Sequence, residues 1–269
     1  MQAYCIVTLL TWVSAHQDMV MNIAEYTNIP KLPNLIRWFL HYQFWNNSDA
    51  SNSDSDVSIS TLLGFNRKIY LHTSATSVFF APSDPSGIHS LHQEQIQSTS
   101  KWQEGPPQQD TVLVDTGNRG NMQLPMSGYV VAWVLFFFSF TYAGDKYPVA
   151  LVWWYLPFID SRCRDRETGM WLVECKYCNG KPHLAVVHVE TIFCTVHLLP
   201  FFGMEPVSLD VTPDNSLDRF CVYYVNRFAD HQSFEILWSL HIWCVQHEML
   251  YIWPAMLWDG QVMLQDGQV

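Results

Sequence analysis

The sequence predicts an α+β protein built around a central antiparallel β-meander, either open or closed into a small barrel, and flanked by helices. Residues 130–142 alternate two sets of side chains that are nearly all apolar, which is typical of a strand buried on both faces. Gly144-Asp145 then supplies a turn, and a second β-rich run reaches Tyr155. Residues 129–155 are therefore predicted to form a hairpin.

Two further β-rich runs extend this hairpin. Residues 169–177 and 183–193 flank Asn179-Gly180, a dipeptide that favours a two-residue hairpin turn because both of its residues tolerate positive φ. The four runs together predict a four-stranded meander that carries much of the core.

The chain before the meander is predicted to start with a helical portion, residues 1–60. Residues 3–15 have the length of a secretory signal core, but no Lys or Arg precedes them, so a buried helix or strand is preferred. Residues 33–45 place apolar side chains at helical spacing behind a proline suited to a first turn. Residues 46–60 are rich in Ser, Asp and Asn, and we expect them to form a flexible acidic loop.

A β-rich domain with a C-terminal helix is predicted over residues 61–236. Residues 68–81 and 110–115 have the composition of strands, whereas residues 88–96 favour one or two helical turns. Residues 216–228 place apolar side chains at helical spacing after a polar cap, so a helix is predicted there.

The composition limits the partners and the compartment. Lys and Arg number 14 against 25 Asp and Glu, which gives a net charge of −11. Such a charge repels phosphate over the surface as a whole, so broad nonspecific DNA binding is not expected, although a local basic patch stays open. The seven cysteines are odd in number and lie mostly in apolar runs, as expected of reduced, buried thiols in an intracellular protein. Charged residues and Pro254 interrupt the apolar C-terminal residues, so no membrane span is predicted.

The best candidate metal ligands are Cys163, Cys175, Cys178 and His183. A C-x2-C pair brings two thiolates onto one tetrahedral zinc ion, and a nearby Cys and His can complete the site. Only one C-x2-C pair is present, so the alternative is that these are incidental thiols without a cofactor.

No signature of a common enzyme class occurs, whether G-x-S-x-G, H-E-x-x-H, Walker A or G-x-G-x-x-G. His188, His197, Asp230 and His231 have the chemistry of an acid–base site, because histidine titrates near neutral pH. Their spacing does not require such a site, so structural roles are preferred and no enzyme activity is predicted.

An aromatic cage is a further candidate. Trp153, Trp154, Tyr155 and Trp171 lie near predicted strand ends, where they either fill the core or surround a cationic side chain by cation–π attraction. The core interpretation is preferred because aromatic residues are spread along the whole chain.

Several long segments, in chain order, match one region of a known family. They are IPKLPNLIRWFLHYQ (29–43), HTSATSVFFAPSDPSGIHSLHQEQIQST (72–99), DTVLVDTG (110–117), VLFFFSFTYAGDKYPVALVWWY (134–155), DRETGMWLVE (165–174), HLAVVHVETI (183–192) and NSLDRFCVYYVNRFADHQSFEI (215–236). Together they resemble the C-terminal part of the Plavaka-type transposase proteins encoded by DNA transposons of mushroom-forming fungi. The resemblance runs from about residue 23 to residue 236, roughly four fifths of the chain.

The resemblance implies a non-catalytic accessory region, because the catalytic acidic residues of such proteins belong to an RNase H-like core upstream of this part. It implies a protein partner or the transposase core as the binding partner, DNA or chromatin as further candidates, no small-molecule substrate, and a nuclear location. Val149 stands where the family pattern has Cys, and residues 161–164 replace an acidic loop. Residues 237–269 match nothing, so they are predicted to be an apolar tail of a truncated relic. The alternative from a different class is a zinc-stabilised module or metal-dependent enzyme that uses the cysteines and histidines above.

Overall fold

One long antiparallel hairpin organises the fold. The computed structural model describes residues 5–9, 17–45, 64–81, 90–99, 108–117, 125–158, 165, 167–178, 180–203, 206–212 and 215–237. The helices are α1 (Val20–Tyr26), α2 (Leu32–Trp45) and α3 (Ser216–Arg219), and residues 231–237 are also helical. The strands are β1 (Cys5–Leu9), β2 (Gln17–Met19), β3 (Lys68–His72), β4 (Ser74–Phe80), β5 (Leu91–Thr99), β6 (Gln108–Gln109), β7 (Thr111–Asp115), β8 (Tyr129–Tyr142), β9 (Asp145–Pro157), β10 (Trp171–Cys175), β11 (Tyr177–Cys178), β12 (Lys181–Pro182), β13 (Leu184–His188), β14 (Ile192–Thr195), β15 (Leu198–Pro200) and β16 (Val222–Val225).

Strands β8 and β9 form the predicted hairpin, and β8 is buried on both faces along most of its length. The two loop residues, Ala143 and Gly144, have φ angles of 52° and 97°. Two successive positive φ angles define the hairpin turn whose twist matches that of the flanking strands. The hairpin is confirmed, with its turn one residue earlier than predicted.

Each edge of the hairpin is shared between two partner strands. The first part of β8 pairs with β7 and the later part with β3, while β9 pairs first with β13 and then with β10. The result is a curled, half-barrel antiparallel sheet, which confirms the α+β meander. In one detail the order differs from a simple meander, since β13 returns to β9 beside β10.

A bulge in β8 reverses the side-chain alternation of the hairpin. Val134 pairs with Val152 and Phe136 with Leu151, so Leu135 has no opposite residue. An unpaired residue in one strand shifts the following side chains to the other face. The face of β8 that packs against the smaller sheet is therefore formed by Ala132 and Val134 before the bulge and by Phe137 after it.

Three apolar clusters follow from this arrangement. Helices α1 and α2 cover the later part of the hairpin, where Phe39 meets Phe140 edge-on with ring centroids 6.3 Å apart. The opposite face of the hairpin packs against the smaller sheet, whose strand order is β1-β4-β5-β6. Strands β10 and β16 close the third cluster, in which Tyr155 and Tyr223 meet edge-on at 5.7 Å. Burial of this apolar surface is the main stabilising contribution.

Two helix predictions are wrong. Residues 91–99 form strand β5 rather than helical turns, because β4 offers them a complete antiparallel ladder. The helix predicted over residues 216–228 ends at Arg219, and Val222–Val225 is strand β16 between β10 and β15. In both segments, pairing with distant strands outweighs the local sequence pattern that favours a helix.

The N-terminal portion contains strands as well as the expected helices. Helix α2 matches the predicted helix at residues 33–45, while β1 pairs with β4 and β2 pairs with β3. The acidic loop predicted at residues 46–60 and the tail beyond residue 237 lie outside the described residues.

Candidate functional site

The predicted zinc ligands occupy different surroundings. Cys175 ends β10 and packs against the core, Cys178 lies in the β11–β12 ribbon, and Cys163 lies outside the described residues. Within the part of the chain that the structure describes, no three Cys, His, Asp or Glu side chains form a group that could hold a metal ion. Cys175, Cys178 and His183 therefore do not form such a group among themselves, and the four-ligand site stays a prediction because Cys163 is not described.

Strands β10 and β13 pair with successive parts of β9, and His183 lies at the junction between them. Its N–H donates to the carbonyl of Lys176 at 3.0 Å, and its carbonyl accepts from the N–H of Trp154 at 3.3 Å. Burial, and secondly the charge of Lys176, lowers the pKa of His183 from 6.5 to about 4. The imidazole is therefore neutral at pH 7 and acts as part of this strand junction.

Two of the candidate acid–base residues, His188 and Asp230, make capping contacts. His188 Nδ1 accepts from the N–H of Glu190 at 3.3 Å and caps a short 3-10 turn. Asp230 accepts from the N–H of Ser233 at 2.6 Å and so caps the helical residues 231–237. These contacts match the capping of backbone N–H groups rather than an acid–base assembly.

The preferred core interpretation of the candidate cage residues holds for Tyr155 and Trp171, and the alternative cage does not form. Tyr155 and Trp171 are buried in the core, and the successive residues Trp153 and Trp154 point to opposite faces of β9. Trp153 instead belongs to an aromatic stack with two residues that the sequence reasoning missed.

This aromatic stack consists of Trp133, Trp153 and Tyr177. The two indole rings lie 5.9 Å apart at 18°, and Tyr177 meets Trp153 edge-on at 5.3 Å. Both indole N–H groups donate to backbone carbonyls, that of Trp133 to Gln109 at 3.1 Å and that of Trp153 to Lys176 at 2.8 Å. The rings are thus held in place, and Tyr177 is half exposed.

Glu94 joins the two sheets. Its carboxylate accepts from the N–H of Thr195 at 2.5 Å and from the hydroxyl of the same residue at 2.8 Å. Burial raises the pKa of Glu94, and the bonds from Thr195 oppose that shift. A carboxylate that is bound in this way serves as a link between β5 and β14.

A groove with both polar and apolar lining lies beside β15 and α3, and we name it the phenylalanine groove. It encloses about 360 Å³ and is lined by Phe202, Pro206, Val207, Ser208, Asp210, Val211, Arg219 and Phe220. The rings of Phe202 and Phe220 meet edge-on at 5.2 Å and form its apolar wall. Its volume falls near the lower end of the ~300–1,000 Å³ range of binding pockets.

Strand pairing positions this wall. Strand β15 pairs with β16, and the ladder continues one residue further because the N–H of Phe201 donates to the carbonyl of Val222 at 2.9 Å. Phe202 therefore follows directly from a fixed strand end. The Tyr223 hydroxyl lies 2.7 and 2.8 Å from the carbonyl oxygens of Phe220 and Leu217, which fixes the turn after α3.

Polar contacts fix the opposite rim of the groove. The carboxylate of Asp210 pairs with Arg219 and also accepts from the hydroxyl of Ser208. The side chain of Asn215 donates to the carbonyl of Asp210 at 2.9 Å and accepts from the N–H of Thr212 at 2.8 Å. These bonds hold the loop against α3 although its apolar side chains face solvent.

Several large apolar side chains around the groove are exposed. Phe202 is 51% exposed, Val207 is 44% exposed, and Leu209 is fully exposed. Exposed apolar patches of this kind mark protein–protein contacts when they are rimmed by polar residues. One sequence pattern could have indicated these exposed apolar side chains. Val207, Leu209 and Val211 alternate with polar residues in a segment whose composition is that of a loop.

Comparison with protein-family models, with curated proteins and with solved structures finds no match. Among the described residues, no helix is both long and apolar enough to cross a membrane.

Proposed function

We propose that this chain is a non-catalytic accessory region of a fungal transposon-encoded protein of the Plavaka type. In this proposal it acts by binding protein, and the phenylalanine groove contacts the transposase core. A nuclear location follows from that role. The family assignment depends on the segments quoted above, whereas the mode of binding depends on the groove.

The observation that carries the binding mode is the combination of an apolar wall with a fixed polar rim. Phe202 and Phe220 are held by strand pairing and by the turn after α3, so an entering side chain would meet preformed walls. Little conformational entropy is then lost on binding. Apolar anchors that enter such pockets provide most of the affinity in protein interfaces.

The charge of the chain favours protein over nucleic acid at this surface. The net charge is −11, and the rim carboxylate of Asp210 is already paired with Arg219. Arg219 is therefore neutralised locally and is a poor phosphate ligand. A DNA or chromatin contact would have to use another part of the surface.

The first test is full-length transcript sequencing across the locus. The proposal expects transcripts whose reading frame continues upstream into a transposase core with acidic catalytic motifs. Transcripts that lack such a core would contradict the accessory role.

The second test measures complex formation between the encoded core and the whole chain. Val207→Asp places a charge on the groove lining, and Leu209→Asp places one on the exposed loop beside it, so both should weaken the complex by about tenfold or more without unfolding the chain. Met21→Asp, at an exposed position on α1, is the matched control and should bind normally. Equal binding by all three variants, or stronger binding of duplex DNA than of the core, would exclude the groove as the contact.

A further inference from the structure

Two cysteines that are far apart in sequence lie next to each other where β10 ends and just before β16 begins. In the antiparallel pair β10–β16, Val173 lies opposite Tyr223 and Glu174 lies opposite Val222. Continued by one residue, this register places Cys175 opposite Cys221, which lies just before β16 begins. The N–H of Cys175 donates to the carbonyl of Cys221 at 3.3 Å.

This position suits a covalent bond between the two sulfurs. Directly opposite residues in a hydrogen-bonded antiparallel pair have Cα atoms about 5.5 Å apart. Disulfides span Cα separations of roughly 4.4–6.8 Å. A disulfide also needs Cβ atoms about 3.5–4.5 Å apart, closer than the roughly 5.5 Å of a hydrogen-bonded pair. Cys221 lies in the bend before β16, so closing the bond requires a local shift of this bend and no change of strand register.

The two thiols differ in their access to solvent. Cys221 is exposed, whereas Cys175 is partly buried at the rim of the core that contains Val173 and Tyr223. An exposed thiol reacts first with a small oxidant, and a neighbouring thiol then resolves the product.

We propose that Cys175 and Cys221 form a reversible disulfide that ties β10 to β16, with a small-molecule disulfide such as glutathione disulfide as the oxidant. The Cys221 thiolate attacks one sulfur of the oxidant and releases one glutathione thiol. The Cys175 thiolate then attacks the sulfur of Cys221 and releases the second. Two protein thiols are oxidised, one disulfide is reduced to two thiols, and the two protons lost by the protein thiols end on the glutathione thiolates.

The C-x2-C spacing offers a competing bond between Cys175 and Cys178. Cys178 lies in the separate β11–β12 ribbon, where it pairs with Lys181. The strand register therefore favours Cys221 over the partner that is nearer in sequence. An exposed disulfide is also among the more easily reduced ones, which makes this bond reversible.

Peptide mapping separates the two bonds. The whole folded protein is equilibrated with a glutathione redox buffer, its remaining thiols are alkylated, and it is denatured and digested with trypsin. Cleavage after Arg166, Lys176, Arg219 and Arg227 places Cys175 in peptide 167–176, Cys178 in peptide 177–219 and Cys221 in peptide 220–227. We expect peptide 167–176 joined to peptide 220–227, and we expect dithiothreitol to separate them.

Two serine variants provide the controls. Cys221→Ser should abolish the joined pair, whereas Cys178→Ser should form it in the same yield as the unaltered chain. Peptide 167–176 joined to peptide 177–219, glutathione adducts alone, or no oxidation of Cys175 would each overturn the proposal. Circular dichroism of the variants before oxidation checks that all of them are folded.

Discussion

The side-chain amide of Gln109 donates a hydrogen bond of 2.7 Å to the carbonyl oxygen of Leu135, the residue that the β8 bulge leaves without an opposite partner. The hydroxyl of Ser98 donates to the same carbonyl at 2.8 Å. A bulge frees a backbone acceptor, and an unpaired acceptor inside a protein costs free energy. These two side chains therefore stabilise the bulge that shifts the side-chain alternation of β8.

Replacing Gln109 should loosen the bulge. Gln109→Leu keeps much of the side-chain volume but removes the donor, while Ser98 keeps its own bond. We expect a loss of about 1 kcal/mol in the free energy of unfolding, measured by urea denaturation. Gln93→Leu, at an exposed position on β5, is the matched control and should change stability little. Equal effects of both variants would show that the bond to Leu135 contributes nothing.

Removing the Tyr223 hydroxyl should release the turn after α3. The hydroxyl lies within 3.2 Å of three carbonyl oxygens, those of Ser216, Leu217 and Phe220. Tyr223→Phe keeps the buried ring and leaves these acceptors without that donor, so a loss of roughly 1–2 kcal/mol is expected. Tyr224→Phe provides the comparison on the same strand. Hydrogen exchange should become faster in α3 and unchanged in β8, and a uniform increase would contradict this local role.

The neutral form of His183 should make stability depend on pH. Its pKa is about 4 in the folded protein against 6.5 when exposed, so between these values the unfolded chain binds more protons. The stability contributed by this group is present above pH 6.5 and is lost as the pH falls toward 4. His183→Asn should therefore have a flatter dependence of the unfolding midpoint over that interval. An unchanged slope in His183→Asn would contradict the assignment.

The stability contributed by Glu94 should depend on pH in the opposite direction to that contributed by His183. Burial raises the pKa of its carboxyl, so the folded chain holds the proton to a higher pH than the unfolded chain does. The stability contributed by this group is present at low pH and is lost as the pH rises through the raised pKa. Glu94→Gln can keep a bond from the N–H of Thr195 but does not ionise. The unfolding midpoint of Glu94→Gln should not decline in this way as the pH rises. Thermal denaturation from acidic to neutral pH measures this midpoint. A decline as steep as in the unaltered chain would contradict the assignment to Glu94.

The amino-acid sequence by itself determined the central hairpin and helix α2. In residues 130–142 the alternation, the apolar character of both faces and the following turn all require the same local conformation, so no distant partner was needed to decide it. Helix α2 was equally clear because its apolar residues repeat at helical spacing behind a proline.

Only the tertiary structure decided strand β16, the aromatic stack and the phenylalanine groove. Val222–Val225 lies in a segment with helical spacing, yet it becomes a strand because β10 and β15 both pair with it. Phe202 and Phe220 meet because β15 pairs with β16. Cys175 and Cys221 become neighbours because β10 pairs with the other edge of β16. The spacing of apolar residues within one segment cannot specify which distant segments pair with it. The hydrogen bonds that fix the register form only when the whole sheet assembles.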